Sequence, residues 1–299
     1  MIPETSLGRC GLPASSLGLG GGPLGDPALS DVAAERLVHA ALERGVRLID
    51  TARSYGESER RIGKALRGRS EQVTVVAKGG YGVEGAMDWT PEAVTAGIER
   101  ARATLQRDVL DVFLLHGCGI EKLVSGELVE PLVQAREAGR VRAIGYAGEG
   151  GALLWAADCD ALDVIECSIS ILDQEALRGA VRIGMDRGKG IIANRALGTA
   201  PWRQRTRPNR SDLANYWDRL QALVRETGAL ENEWAPWADT AIRFAAYTGG
   251  VSSALVATAR IEHFLDAIES VGRGPLREAQ AHRLRGAYER CGAQWAAVL

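Results

Sequence analysis

Short apolar runs alternate along the chain with longer stretches whose apolar positions recur every three or four residues. The short runs are SLGLG (16–20), VRLID (46–50), VTVVA (73–77), LDVFLL (110–115), VRAIGY (141–146), LDVIEC (162–167), GIIAN (190–194) and VSSALVA (251–257). Most are nearly continuous in apolar and β-branched residues, as parallel strands buried on both faces are. The stretches between them carry helix-end signals. Thr90 and Pro91 predict a cap and first turn for TPEAVTAGIERARATL, with Val94, Ile98, Ala101 and Leu105 on one face. Ser30 opens a helix that closes on Gly45, Ser58 is placed to cap ESERRIGKAL, and Asp173 opens a helix that closes on Gly188. Eight strand–helix units in one domain, residues 1–299, predict an α/β fold, a (β/α)8 TIM barrel. A doubly wound sheet is the competing arrangement. After the seventh strand comes an extended loop, PWRQRTRPNRSDLANYW (201–217), which is basic, aromatic and rich in turn formers. On a barrel it lies over the C-terminal face; otherwise it is an ordinary surface loop.

Composition narrows the class. With 46% hydrophobic and 25% charged residues, the chain reads as a globular protein with a sizeable core. A net charge of −2, without basic clustering, argues against nucleic acid or a membrane surface as partner. The first residues, MIPETSLGRC, show neither a basic nor an apolar leader region, and no apolar run is long enough to span a bilayer. The five cysteines (10, 118, 159, 167 and 291) are odd in number and widely spaced, which reads as reduced thiols in a cytoplasmic protein. The four histidines show no metal-ligand spacing, so no metal is expected. Oligomeric state stays open.

Three polar residues stand where consecutive predicted strands end: Asp50, Lys78 and His116. Tyr55 follows Asp50 in DTARSYGESE. Singly, each has an ordinary explanation as a turn, surface or satisfied residue. On a barrel, however, neighbouring strand ends converge at one mouth. Together these residues suit proton donation to a carbonyl oxygen. A lysine cation lowers a tyrosine pKa, an aspartate keeps the lysine charged, and a histidine orients the carbonyl. No side chain supplies a hydride, so reduction needs a nicotinamide cofactor.

LIDTARSYGESERRIGKAL, VVAKGG, LDVFLLHG and VRAIGYAG resemble the successive signature blocks of the aldo-keto reductases. The resemblance implies a (β/α)8 barrel and NAD(P)(H)-dependent interconversion of a carbonyl (aldehyde, ketone or sugar lactol) and an alcohol. It carries the catalytic tetrad over as Asp50, Tyr55, Lys78 and His116, all four intact, with Asp50 also beside the cofactor. It implies a dinucleotide extended across the barrel mouth, NADPH favoured and NADH possible, with a small-molecule carbonyl or alcohol as substrate. Bacterial members, some like sugar dehydrogenases, are the nearest in pattern.

The same resemblance exposes departures. Ala147 and Gly148 stand where the family usually has a Ser-Asn pair for the nicotinamide carboxamide. Glu166 stands where a glutamine is usual; a carboxylate can accept from the amide but cannot donate to it. Asn194 replaces the usual aromatic, as in some sugar-dehydrogenase-like members, and Arg195 and Leu197 follow it. In LVATARIEHF, Ala257 replaces a glycine or basic residue, Thr258 is kept, Arg260 is the candidate 2′-phosphate contact, and His263 stands where many members have arginine. Tyr81, Trp89 and Trp202 are candidate walls of a substrate pocket, or loop packing. Two other functions compete. Lys78 can be read as a Schiff-base lysine, although Asp50 would raise its pKa rather than lower it. Alternatively, the barrel serves nucleotide binding or a step without net redox change.

GGGPLG (20–25) fits the G-x-G-x-x-G pattern of a Rossmann loop. Pro23 and the following GDPALS separate it from the next helix, so it does not open onto a helix N-terminus. It reads instead as the first loop of the barrel, with Gly21 and Gly22 letting the backbone approach the nicotinamide end of the cofactor.

Overall fold

A computed structural model describes residues 2–69, 73–227 and 237–295. Its ten strands are β1 (Glu4–Leu7), β2 (Leu12–Ser15), β3 (Leu17–Gly20), β4 (Leu48–Asp50), β5 (Thr74–Gly79), β6 (Leu110–His116), β7 (Val141–Ala147), β8 (Val164–Ser168), β9 (Gly190–Asn194) and β10 (Ser253–Ala257). Strands β3 to β10 close a parallel barrel in sequence order, with β10 returning to pair with β3. The fold is therefore the (β/α)8 barrel, not the doubly wound sheet. Each barrel strand matches one of the eight short apolar runs. VRLID yields a shorter strand than its apolar pattern predicts, because Arg47 N donates to Ser15 Oγ (2.8 Å).

The helices form an outer layer: α1 (Asp31–Glu43), α2 (Ser58–Ala65), α3 (Pro91–Leu105), α4 (Ile120–Val124), α5 (Val129–Glu137), α6 (Gly150–Asp158), α7 (Glu175–Arg178), α8 (Ala180–Asp186), α9 (Ser211–Thr227), α10 (Trp237–Ala246), α11 (Ile261–Gly272) and α12 (Glu278–Cys291). Ser30 and Thr90 cap α1 and α3 as expected, each side chain accepting from the backbone N–H three residues on. Two other cap assignments are overturned. Ser58 is the first residue of α2, with Glu57 before it. Its buried hydroxyl accepts from Thr51 Oγ1 (2.9 Å) and donates to Gly21 O (2.8 Å). Asp173 caps nothing: it pairs with Arg219 and accepts from the Tyr216 hydroxyl (2.7 Å), pinning α9 to the barrel. The helix expected over 173–188 breaks at Gly179 into α7 and α8.

The alternation of side chains along a strand sorts the core. Leu48, Val76, Val112, Leu114, Val164, Ile192 and Leu255 share one cluster inside the barrel. A larger cluster joins the outer strand faces to the helices. Two residues beyond the last interior apolar residue on five strands stand Asp50, Lys78, His116, Glu166 and Asn194. The periodicity that fills the barrel thus carries these polar groups to its C-terminal mouth.

The opposite end is closed by a hairpin that the strand pattern did not reveal. β1 and β2 pair antiparallel, and Leu7, Leu12 and Ala14 join the interior cluster. Gly8 makes the contact feasible. Its φ is +54°, and a Cβ there would lie 2.1 Å from Gly190 N. Among the described residues, no helix is long and apolar enough to cross a membrane.

Candidate active site

Asp50 ends β4 and is 3% exposed; Lys78 on β5 is 1% exposed. The Lys78 ammonium pairs with Asp50 Oδ1 and donates to Thr51 O (3.2 Å). It lies 3.3 Å from Glu166 Oε2 and 5.5 Å from the centre of the Tyr55 ring. His116 ends β6 and meets the Tyr55 ring edge-on, with centroids 6.0 Å apart. The four residues of the expected tetrad are thus adjacent in space.

The glycine run shapes this cluster from behind. Gly21 N donates to Asp50 O (2.7 Å), and a Cβ on Gly21 would meet that oxygen at 2.5 Å. A Cβ on Gly25 would lie 1.8 Å from Tyr55 O. Two glycines of GGGPLG are therefore needed where the backbone presses against the Asp50 and Tyr55 segments. Gly22 faces open space instead and lines the cavity above, as does Gly20.

Electrostatics differ from the simple expectation for a tyrosine beside a lysine. Lys78 draws the Tyr55 pKa down, but burial, Asp50 and Glu166 outweigh it and push it up to about 12. Burial disfavours the Lys78 ammonium, yet Asp50 and Glu166 hold its pKa above the ordinary lysine value. Burial, then Glu166, push the Asp50 carboxyl well above the usual carboxylate range, against the pull of Lys78. Burial and Lys78 bring His116 down to about 4, so its imidazole is neutral near pH 7. Its Nδ1 lies 2.8 Å from the Tyr81 hydroxyl, which lies the same distance from Ser54 Oγ.

Above the tetrad opens a cavity of about 820 Å³, whose lining includes Asp50, Tyr55, His116 and Glu166. Asn194 lines it too, with its amide held between Glu166 Oε1 (3.0 Å) and Ser168 Oγ (3.2 Å). Arg195 and Leu197, just after β9, and Trp202, from the extended loop, line it, as do Thr258 and His263. The start of the expected loop therefore does reach over the C-terminal face through Trp202 and Arg203, but its residues from Ser211 onward are helical and open α9. Other expected residues lie elsewhere. Arg260 caps α11, its side chain 65% exposed beside Glu262 and outside the lining. Tyr81 packs on Trp89 and on His116, and neither Tyr81 nor Trp89 is part of the cavity lining. Ala147 is buried between His116 and Glu166 in register. Gly148 packs on the Tyr146 hydroxyl, where a Cβ would come within 2.4 Å.

Sequence reasoning missed Arg203, Asp266 and Ser270 in the lining. The last two share a face of α11 with His263, a helical spacing legible once His263 is placed. It also missed the contact of Glu166 with Lys78. The apolar-x-polar pattern shared by Val76-x-Lys78 and Val164-x-Glu166 is the signal for it. Among the described residues, no group of three or more His, Cys, Asp or Glu is arranged to hold a metal.

The fold recurs among solved structures. The aldo-keto reductase AKR11C1 from Bacillus halodurans, in its holo form, matches with a TM-score of 0.81 over 96% of each chain, at 21% identity. PA4992 from Pseudomonas aeruginosa matches with a TM-score of 0.71 over 90% of this chain and 95% of that one, at 24% identity. Among curated proteins, the aldo-keto reductase YhdN of Bacillus subtilis is 32% identical over 158 residues, 47% of this chain and 45% of that protein. The L-galactose dehydrogenase of Arabidopsis thaliana is 30% identical over 159 residues, 49% of each. The chain thus spans about half the length of the curated relatives it matches. The model of the Aldo/keto reductase family covers residues 16–289, from the edge of β3 into α12, and to that family the chain belongs.

Proposed function

We propose that the protein is an oxidoreductase that interconverts a small-molecule carbonyl (aldehyde, ketone or sugar lactol) and an alcohol, using NADPH by preference and accepting NADH. The observation that carries this reading is that Tyr55 and His116 line one large cavity, with the Lys78 ammonium buried 5.5 Å from the Tyr55 ring centre. Family membership points the same way.

The lining fits a dinucleotide. Gly22 leaves open space beside the backbone. Arg195 and Arg203 bring two cations to one wall, suited to a diphosphate. Glu166 Oε2 is buried on the floor without a hydrogen-bond partner. Thr258 and His263 also line it, for the remaining phosphate or ribose, with exposed Arg260 nearby in sequence. When bound, the nicotinamide supplies the hydride. The chain's own groups handle the proton.

Tyr55, its pKa pushed up, is protonated near neutrality and is the donor to the carbonyl oxygen in reduction; oxidation uses its phenolate, the form that Lys78 favours. Lys78, anchored by Asp50, places a positive charge beside the phenol and favours the charged form at the moment of transfer. His116 is neutral and acts by hydrogen bonding to the substrate oxygen. With the Tyr81 hydroxyl donating to Nδ1, the ring proton sits on Nε2, where it donates to the substrate oxygen. Glu166, Asn194, Gly21, Gly22, Leu197 and Asp50 surround or support the nicotinamide end. Trp202, stacked on Trp237 at 6.5 Å, is the aromatic wall for the substrate. All five cysteines are free thiols, which supports a cytoplasmic setting.

Titration with NADPH and NADH, read through the seven tryptophans, tests the reading. Saturable quenching below millimolar concentration is expected, followed by hydride consumption with a panel of carbonyls. No response to either nucleotide would reject it.

A further inference from the structure

Two buried carboxylates address one ammonium at the cavity floor. Asp50 is 3% exposed and Glu166 2%. Lys78 Nζ pairs with Asp50 and lies 3.3 Å from Glu166 Oε2. That Oε2 has no hydrogen-bond partner, whereas Oε1 is held by Asn194 Nδ2 at 3.0 Å. If both carboxylates are ionised, the cluster carries one surplus negative charge in a place shielded from water. Neighbouring carboxylates in such a setting retain a proton between them, and the proton belongs to the pair.

The surrounding groups do not cancel that charge. Tyr55 and His116 face the cluster from the β4–α2 loop and from β6, and both are neutral near pH 7. Cys167, on β8 itself, is a buried thiol pushed well up, first by burial and then by Glu149 and Glu166. The Glu149 carboxylate lies beyond it and accepts from Ser168 N (2.7 Å). Lys78 is the one cation that touches the two carboxylates among the described residues.

We propose that Asp50 and Glu166 share one proton in the free protein and release it to solvent when an oxidised, cationic nicotinamide binds, so that Glu166 selects the oxidised over the reduced cofactor. The proposal rests on the reading that this cavity takes a nicotinamide dinucleotide. Oxidised and reduced forms carry the same phosphates and differ by one positive charge on the ring. A surplus carboxylate charge at the floor attracts the cation and leaves the neutral ring unaffected. A proton already there must depart for that attraction to be realised, which links binding of the oxidised form to pH.

Calorimetric titration of the intact protein with NADP+ and with NADPH tests this, between about pH 6 and 9, in buffers of different ionisation enthalpy. About one proton released per NADP+ and none per NADPH is expected near neutrality. The ratio of NADP+ to NADPH affinity should rise with pH, approaching tenfold per unit where the shared proton is held. Glu166→Gln should abolish the release, flatten the ratio against pH and shift it toward NADPH by about tenfold above neutrality. Equal proton counts for both forms would overturn the inference, as would a Gln variant that keeps the wild-type count. The wild-type series alone decides the matter if the variant does not fold. Failure of both nucleotides to bind at millimolar concentration would reject the cofactor reading and this inference together. Binding of both with identical pH dependence would reject this inference only.

Discussion

The two sides of the barrel mouth are built differently. On the β4–β5–β6 side, Asp50, Lys78 and His116 are set by strand register, each two residues beyond an interior apolar side chain. On the β8–β10 side, the cavity is walled by a long loop, by the face of α11 and by hydrogen-bonded side chains such as Asn194. The first side has its chemistry written into a ladder that tolerates little movement. The second depends on tertiary anchors, above all the Asp173–Arg219–Tyr216 cluster that fixes α9. Chemistry on this fold should therefore be lost by changes on one side, and ligand affinity and loop order by changes on the other.

The largest effect should come from Tyr55→Phe. Loss of the proton donor lowers kcat by about 10²–10⁴, while NADPH affinity in fluorescence titration stays within about twofold. A variant with full turnover would remove Tyr55 from its role. Next is Asp173→Asn. It breaks a buried ion pair and should cost about 3 kcal/mol in urea denaturation, with a rise in the KM for cofactor. Unchanged stability would show that α9 is held by its apolar face alone.

A pH effect should follow from the first side. His116 titrates at about 4 in the folded protein, below its ordinary 6.5. The unfolded chain therefore binds this proton more readily, and stability falls as the pH drops from about 6.5 towards 4. His116→Gln should flatten that part of the profile; an unaltered slope would place the acid sensitivity elsewhere. The smallest contrast separates two arginines on the second side. Arg203→Ala should weaken NADPH binding by about tenfold, as expected for a lost charge-assisted contact. Arg260→Ala, whose exposed side chain is not part of the lining, should change it less than about twofold. The reverse order would mean that the phosphate-bearing end of the cofactor reaches further out than the cavity does.

The contrast also explains what could be read in advance. Strand runs were legible because burial on both faces leaves a continuous apolar signature. Asp50, Lys78 and His116 were legible because strand ends carry them, and Tyr55, on the loop after β4, because its block resembles a family signature. The break at Gly179 was hidden, because apolar spacing continues across it; Gly179 itself is non-helical, and Leu154 packs so close that a Cβ would meet it at 2.7 Å. The placement of Tyr81 against His116 was hidden for a similar reason: it follows from a hydroxyl contact across two loops. GGGPLG was legible as a close backbone approach but not as to what it approaches. Two of its glycines press against the chain's own Asp50 and Tyr55 segments.

The hairpin at the closed end has a consequence for assembly. Thr5 Oγ1 donates to Ser252 O across 247 residues of chain. Arg9 N donates to Gly188 O (2.6 Å), and Thr74 Oγ1 donates to Pro13 O (2.6 Å). The seat for β1 and β2 is thus made from the beginnings of strands drawn from nearly the whole chain, and it is complete only when β10 has joined β3. Contacts of such sequence separation form late. The β1–β2 hairpin is therefore expected to dock late, and its docking marks the barrel as finished.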